Sequence, residues 1–267
     1  MTTHATRPES ALNMTNDLAP NFFIIGAAKA GTTSLSSMLS LHPEAAIVGD
    51  KEVHFFSSYY SRGWDAYLGL FSHCAGKKAR GDASTSYSRI RYYPGVVERI
   101  HRHAPEAKII YMVRHPLKRI ESAYIEHLGT PTSQVYSSVN DAVERQPMIV
   151  DSSRYGEVYE AYRERFGESQ IKIVWFEEYI SKPHAVFQDV CRFLGISDQT
   201  VQNIPAESIN SRGGVLGRLA WIGRGDVQVN TTWDDGTRRW VLNQLLDDNC
   251  RFLEQMRRPR NYWGNLF

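Results

Sequence analysis

The sequence has few cysteines, little net charge and no long apolar run. Its three cysteines, Cys74, Cys191 and Cys250, are far apart and form no CxxC pair. This argues against a disulfide framework or a cysteine metal site and favours reduced thiols. The formal net charge of +2 argues against a general attraction to nucleic acid or to an anionic membrane, so any basic site must be local. No window approaches the run of about 18 apolar residues that a membrane span needs.

The N-terminal residues also lack a targeting signal. Residues 1–20 contain no basic segment followed by an apolar stretch, so they predict a polar, flexible tail rather than a secretory signal peptide. Together with the sparse cysteines, this favours a cytoplasmic protein. Residues 21–267 contain no internal repeat and no low-complexity linker, and we expect them to form a single domain.

Short apolar runs alternate with segments of helical spacing along that domain. Five runs predict strands: 22–26, 46–48, 80–84, 108–113 and 171–175. The clearest is Lys108 to Val113, which is almost continuously apolar, as a strand covered on both faces should be. Helices between the strands imply right-handed crossovers. The predicted fold class is α/β, a P-loop-type three-layer fold with a central parallel sheet flanked by helices, whose ligands bind beyond the carboxyl ends of the strands.

The first strand leads into the segment IIGAAKAGTTSL, residues 24–35. A nucleoside-triphosphate P-loop has Lys directly after its second glycine, followed by a Ser or Thr that holds magnesium. Here Thr32 has that position and Lys29 lies within the loop. Its two glycines allow backbone N–H groups to turn inward, and the N-terminus of the next helix adds about half a positive charge. With the hydroxyls of Thr33 and Ser34, the segment predicts an anion cradle.

A second anion site is predicted after the clearest strand, in RHPLKRIESAY. Arg114 ends this strand, where a nucleoside triphosphatase often has an Asp that helps to hold magnesium. Ser122 lies on nearly the same helix face as Lys118 and Arg119. Arg114 and Ser122 offer a guanidinium fork and a hydroxyl to an anion, although a helix with a solvated basic face would have the same pattern. Two separated anion sites fit a nucleotide that is phosphorylated at two places.

The third segment is DKEVHFFS. If it is extended, Glu52 and His54 point the same way. A carboxylate and an imidazole on one face, partly walled by Phe55 and Phe56, suit proton abstraction from a hydroxyl. The alternative is a salt-bridged surface glutamate beside a packed histidine.

In this order and spacing, GAAKAGTTSL, KEVHFF and VRHPLKRIESAY resemble the sulfotransferases that use 3′-phosphoadenosine 5′-phosphosulfate (PAPS). The resemblance is to the branch that contains the heparan sulfate sulfotransferases and their soluble bacterial relatives, and it runs from about residue 21 to the C-terminal helix. It implies PAPS as the sulfuryl donor, a small-molecule or carbohydrate acceptor, and no need for a metal. The 5′-phosphosulfate end would lie against six residues: Lys29, Ala30, Gly31, Thr32, Thr33 and Ser34.

The resemblance also implies the remaining roles. Lys29 would stabilise charge on the bridging oxygen, and Arg114 with Ser122 would hold the 3′-phosphate. Glu52 matches the family's catalytic base, and His54 matches the residue beside it in glucosaminyl 3-O-sulfotransferases. The family closes a late basic loop over the cofactor, and the candidate residues here are Arg212, Gly213 and Gly214. Ser57 departs from the 3-O-sulfotransferase pattern, which has Asp there.

Two other functions fit parts of the sequence. An apolar run that ends in Glu177 allows a magnesium-dependent P-loop kinase of small molecules, although the displaced Lys29 and Arg114 argue against it. A nucleotide-binding protein without activity is the other alternative, and the presence of both Lys29 and Glu52 argues against it. The acceptor and the oligomeric state stay open. The segments that would recognise an acceptor, 57–75 and the polar stretch 129–150, an expected insertion or lid, contain no recognisable motif.

Overall fold

A single parallel sheet organises the part of the chain that the computed structural model describes, residues 18–49, 52–131, 134–199, 227–264 and 266. Its five strands are β1 (Phe22–Gly26), β2 (Ala45–Ile47), β3 (Ala79–Asp82), β4 (Lys108–Val113) and β5 (Ile171–Trp175). Their order across the sheet is β2-β3-β1-β4-β5, and every neighbouring pair is parallel. The carboxyl ends of all five strands therefore lie along one edge, with the end of β1 at the centre.

Helices flank this sheet, as the alternating pattern predicted. They are α1 (Thr32–Ser40), α2 (Trp64–Gly69), α3 (Val96–His103), α4 (Pro116–Leu128), α5 (Val139–Arg145), α6 (Pro147–Asp151), α7 (Tyr155–Phe166), α8 (Phe176–Ser181), α9 (Pro183–Leu194) and α10 (Asp235–Gln255). A short 3-10 turn, Thr85–Ser88, follows β3. Every residue of β1 is buried. Because successive side chains of a strand point to opposite faces, both faces of the sheet are covered at its centre. The predicted α/β fold is confirmed.

The strands with continuous apolar runs agree with the prediction residue for residue, namely β1, β4 and β5. The bounds of β2 and β3 differ by one or two residues, because their sequences are short and, in β3, mostly polar. Gly81 of β3 has a packing reason: a Cβ there would come within 2.1 Å of Phe22 Cζ. The absence of a side chain lets the Phe22 ring of β1 pack directly on the neighbouring strand.

The expectation that 129–150 is irregular is wrong for half of that segment. Residues 139–151 form α5 and α6, and their apolar side chains pack with those of α4 and α10 in a second, smaller core. Val139 and Val143 are four residues apart, which places both on one face of a short helix. The Ser138 hydroxyl accepts a hydrogen bond from Asp141 N at 3.2 Å, so it caps α5. The polar composition concealed this one-sided apolar spacing.

Three further sequence expectations concern the N-terminal residues, the cysteines and membrane-spanning helices. Residues 1–17 of the predicted tail lie outside the described part, whereas Pro20 is buried and the Ala19 carbonyl accepts a hydrogen bond from Arg80 Nε at 3.0 Å. The three cysteines are buried free thiols. No helix among the described residues is long and apolar enough to cross a membrane.

Candidate active site

The loop between β1 and α1 folds back on itself at the centre of the sheet edge. Lys29 and Gly31 have φ values of 70° and 94°, in the left-handed region that glycine adopts most readily. A Cβ on Gly31 would come within 2.9 Å of the Phe176 ring, so this glycine is required for space as well as for conformation. The loop reaches α1 directly at Thr32. Backbone N–H groups and the positive end of α1 therefore meet there, as an anion cradle requires.

The side chains of the six predicted loop residues differ in exposure. Ala30 and Thr32 are buried, and Thr33 is exposed. Ser34 is buried, with its Oγ 2.7 Å from the Tyr179 hydroxyl of α8, a hydrogen-bond distance. This contact ties the start of α1 to α8. Lys29 is the charged donor of the loop.

The first and second motifs are in direct contact. Arg114, just after β4, donates from NH1 to the Lys29 carbonyl at 3.0 Å, and its guanidinium lies 4.3 Å from the centre of the Phe176 ring. Lys29 Nζ forms an ion pair with Glu126 of α4 at 3.0 Å. Ser122 lies one helical turn before Glu126 and is partly buried, so it shares the face of α4 that meets the loop. Lys29, Arg114 and Ser122 are thus brought to one region.

The third motif has a conformation that its sequence did not predict. Glu52 and His54 have positive φ values, 61° and 55°, so the segment is not extended. Glu52 N donates to the Ala83 carbonyl, and His54 N donates to the Ser84 hydroxyl, both at 3.0 Å. These bonds to the end of β3 impose the turn. The two side chains nevertheless come together, with His54 Nε2 3.6 Å from Glu52 Oε2.

The surroundings of the Glu52 carboxylate also differ from the expectation. Phe55 and Phe56 are buried in the main core, where Phe55 stacks on Tyr67. The carboxylate instead accepts hydrogen bonds from Thr85 N at 2.9 Å and from Thr85 Oγ1 at 3.1 Å. Polar donors therefore fix its orientation.

The turn Thr85–Ser88 contacts the first and third motifs, and sequence reasoning missed it. Thr85 holds Glu52, and the Ser86 hydroxyl is 2.7 Å from both His54 Nδ1 and Ser57 Oγ. Ser88 lies against the start of the loop, since a Cβ on Gly26 would come within 2.2 Å of Ser88 Oγ. Its position directly after β3 could have indicated that this turn belongs to the site, because the carboxyl ends of all parallel strands lie at the same edge of the sheet.

Two arginines add positive charge around the loop. Arg119 is buried, and it donates from Nε to Ser153 Oγ at 2.6 Å and from NH1 to the Ala28 carbonyl at 3.4 Å. Burial lowers the pKa of Arg119 to about 10, so it is not the solvated basic residue that the alternative interpretation expected. Arg89 Nε is buried with no hydrogen-bond partner among the described residues. Burial lowers the pKa of His127, and the charge of Arg89 adds to this effect.

The carboxylate that a magnesium-dependent kinase would need is engaged elsewhere. Glu177 Oε1 accepts a hydrogen bond from His115 N at 2.7 Å, and Oε2 accepts one from Trp263 Nε1 at 3.4 Å. No group of three or more His, Cys, Asp or Glu residues suited to a metal occurs in the described part of the chain. The predicted closing loop, Arg212, Gly213 and Gly214, lies outside the described residues.

A parallel α/β sheet with a glycine loop and a helix N-terminus at its central strand end is a P-loop-like architecture, which is typical of phosphate-binding proteins. Within that class, a model of the sulfotransferase family matches residues 92–200. The chain is 29% identical over 183 residues to heparan sulfate glucosamine 3-O-sulfotransferase 6 of Mus musculus, which is 66% of this chain and 52% of that protein. It therefore spans about half the length of this relative.

Solved structures of sulfotransferases are similar to this chain over more of its length. A sulfotransferase from Alicyclobacillus acidocaldarius superposes with a TM-score of 0.73 and 28% identity, covering 92% of this chain and 98% of that one. Mouse sulfotransferase SULT7A1, solved as a complex with PAP, has a TM-score of 0.50 and 13% identity over 93% of this chain and 94% of that one. This second likeness concerns the fold alone. The chain is thus similar to sulfotransferases in both sequence and fold, and this similarity supports an enzyme.

Proposed function

We propose that this protein transfers the sulfuryl group of PAPS to an acceptor hydroxyl and releases 3′,5′-bisphosphoadenosine (PAP). One observation carries the proposal. The loop with Lys29, the Arg114 guanidinium and the Glu52–His54 pair lie at adjacent strand ends along one sheet edge, with Lys29 and Arg114 in direct contact. Two cationic sites beside a carboxylate suit a doubly anionic nucleotide and a hydroxyl that must lose a proton.

The residues present fit PAPS. Lys29, the loop backbone and the start of α1 would hold the 5′-phosphosulfate end, since they combine a cation with N–H donors. Arg114 and Ser122 would hold the 3′-phosphate, the group that distinguishes this nucleotide from ATP. Gly31 lets the Phe176 ring pack directly against this loop. The mouse sulfotransferase that shares this fold was solved with PAP bound, which supports the same choice of donor.

The chain's own residues would supply acid–base chemistry and charge stabilisation. When bound, PAPS supplies an activated sulfuryl group, whose bond to the 5′-phosphate breaks as the acceptor oxygen bonds to sulfur. Glu52, oriented by Thr85, takes the hydroxyl proton. Lys29 stabilises the negative charge left on the phosphate. His54, held by Ser86, orients the acceptor oxygen or shares the charge of Glu52.

The acceptor is a small molecule or a carbohydrate with a free hydroxyl. The related mammalian enzymes are named for transfer to a glucosamine oxygen, which supports O-sulfation here. Ser57 hydrogen-bonds Ser86, at the position where the resemblance expects an acidic residue. This neutral contact next to His54 removes one charge from the acceptor side.

Calorimetric titration tests the donor site. PAP and ATP are each titrated into the protein, once with magnesium and once with a chelator. We expect PAP to bind without metal and ATP to bind weakly, because Arg114 and Ser122 select the 3′-phosphate. Magnesium-dependent binding of ATP without binding of PAP would reject the proposal and favour the kinase.

Transfer is then measured with labelled PAPS and a panel of sugar, lipid and phenol hydroxyls. Labelled product from at least one acceptor is the expected result. Tight binding of PAP without transfer to any member of the panel would instead favour a nucleotide-binding protein that lacks activity.

A further inference from the structure

A buried carboxylate lies directly behind the Glu52–His54 segment. Asp82 is the last residue of β3 and is 0% exposed. It accepts hydrogen bonds from Tyr67 OH at 2.7 Å, Tyr87 OH at 2.6 Å and Ser84 Oγ at 2.6 Å. Burial raises the pKa of this carboxyl, and the nearby charge of Glu52 adds to the effect. Burial of a carboxylate costs free energy unless hydrogen bonds or a cation compensate for it. Here three hydroxyl donors provide that compensation.

Each donor to Asp82 also contacts one residue of the segment 54–56. Ser84 Oγ accepts a hydrogen bond from His54 N at 3.0 Å. The Tyr67 ring stacks on Phe55, with centroids 4.2 Å apart and planes 11° apart. The Tyr87 hydroxyl lies 3.4 Å from Phe56 N, which donates to it.

This arrangement matters because the backbone that it supports is strained. Glu52 and His54 both have positive φ values, which cost free energy for residues other than glycine and persist only where surrounding contacts impose them. Ala83, the residue after Asp82, supplies the carbonyl that binds Glu52 N. The three contacts to segment 54–56 therefore meet at one carboxylate, and the residue next to it holds Glu52 N.

We propose that Asp82 is a positioning residue, which holds Glu52 and His54 in their reactive arrangement through Ser84, Tyr67 and Tyr87. This inference rests on the proposed function, because it assigns to Asp82 the placement of that function's base. Asp82 is sealed from solvent and does not touch the substrates. Stability alone does not account for the carboxylate, since apolar side chains that fill such a site are often no less stabilising than a buried charge.

The test compares Asp82→Asn and Ser84→Ala with Tyr162→Phe. The Tyr162 hydroxyl is also buried, and it donates to the Tyr87 carbonyl at 3.0 Å, so its loss removes a core hydrogen bond but keeps all three hydroxyl donors to Asp82. We expect kcat for sulfuryl transfer to fall at least tenfold in the first two variants, since small displacements of reacting groups cost about 100-fold. The Kd of PAP should stay within about twofold of wild type, and Tyr162→Phe should keep its kcat.

Each outcome decides the inference. Unchanged kcat in folded Asp82→Asn and Ser84→Ala would overturn it, as would an equal loss of kcat in Tyr162→Phe. If Asp82→Asn does not fold, Ser84→Ala decides alone, because it keeps the carboxylate and both tyrosines. Faster hydrogen exchange at residues 52–57 in Ser84→Ala, but not in Tyr162→Phe, is the structural result expected. Failure of the wild-type protein to transfer sulfuryl to any acceptor would reject the proposed function itself, whereas wild-type transfer with unaffected variants rejects only the role of Asp82.

Discussion

The Lys29–Glu126 ion pair gives the sharpest prediction about nucleotide binding. In the structure the loop lysine is held by a carboxylate at 3.0 Å, with side chains 21% and 38% exposed. An anionic ligand in the loop must draw Lys29 away from Glu126 and approach a negative charge. We therefore expect Glu126→Gln to bind PAP more tightly than wild type does.

Two contributions set the size of this effect. A partly exposed ion pair contributes about 0.2–1 kcal/mol, which PAP no longer has to overcome. A carboxylate about 6 Å from a unit negative charge adds a repulsion of about 0.7 kcal/mol in a water-like dielectric. Together they amount to about 0.9–1.7 kcal/mol, or about a fivefold to 20-fold lower Kd. Because the Debye length falls to about 3 Å in 1 M salt, the gain should shrink there.

Calorimetry with PAP in chelator measures this change at low and high salt. Glu121→Gln is the matched control, because it removes the same charge from α4, where Glu121 pairs with Lys118 at 3.0 Å rather than with Lys29. An unchanged Kd in Glu126→Gln would show that Glu126 does not compete for the lysine. Weaker binding would mean that Glu126 positions Lys29 for the ligand, and either result would refute the reasoning.

Three further predictions concern the base, the loop and stability. Glu52→Gln should lose most transfer of label from PAPS yet bind PAP normally in calorimetry, because Glu52 acts on the acceptor; normal turnover would exclude it as the base. Gly31→Ala should weaken PAP binding, since its Cβ would clash with the Phe176 ring at a positive φ, and an unchanged Kd would contradict the loop geometry. Burial lowers the pKa of His103, His115 and His127 below the ordinary 6.5. The unfolded state then binds their protons more readily, so the free energy of unfolding should decrease as pH falls below 6.5; a Tm at pH 5.5 equal to that at pH 7.5 would contradict this.

The sequence was sufficient for those parts of the fold that depend on local pattern. Continuous apolar runs marked β1, β4 and β5, because a strand buried on both faces has no polar alternation. The glycine loop and the arginine after β4 were also visible, since each lies directly after such a run. The placement of Lys29 and Arg114 at one sheet edge followed from the rule that parallel strands end at one edge, whereas their direct contact was not predicted.

Contacts between distant segments were not visible in the sequence. The left-handed backbone at Glu52 and His54 is imposed by hydrogen bonds to residues 83 and 84, about 30 positions away. The turn Thr85–Ser88 is short and polar and follows a strand, ARGD, with almost no apolar signal. The Lys29–Glu126 pair joins residues that are 97 positions apart, and no sequence pattern around either residue indicates its partner.

The strand order has a consequence for how such an enzyme can diversify. The loop of β1 lies at the midline of the sheet, with β3 and β2 on one side and β4 and β5 on the other. The first side supports Glu52 and His54, and the second supports Arg114 and Phe176. Apart from the loop of β1, the proposed acid–base residues and the proposed contacts to the 3′-phosphate therefore lie on opposite sides of the sheet. Exchange of residues 45–88 between relatives would alter the hydroxyl that is modified and leave both the loop and the 3′-phosphate contacts in place.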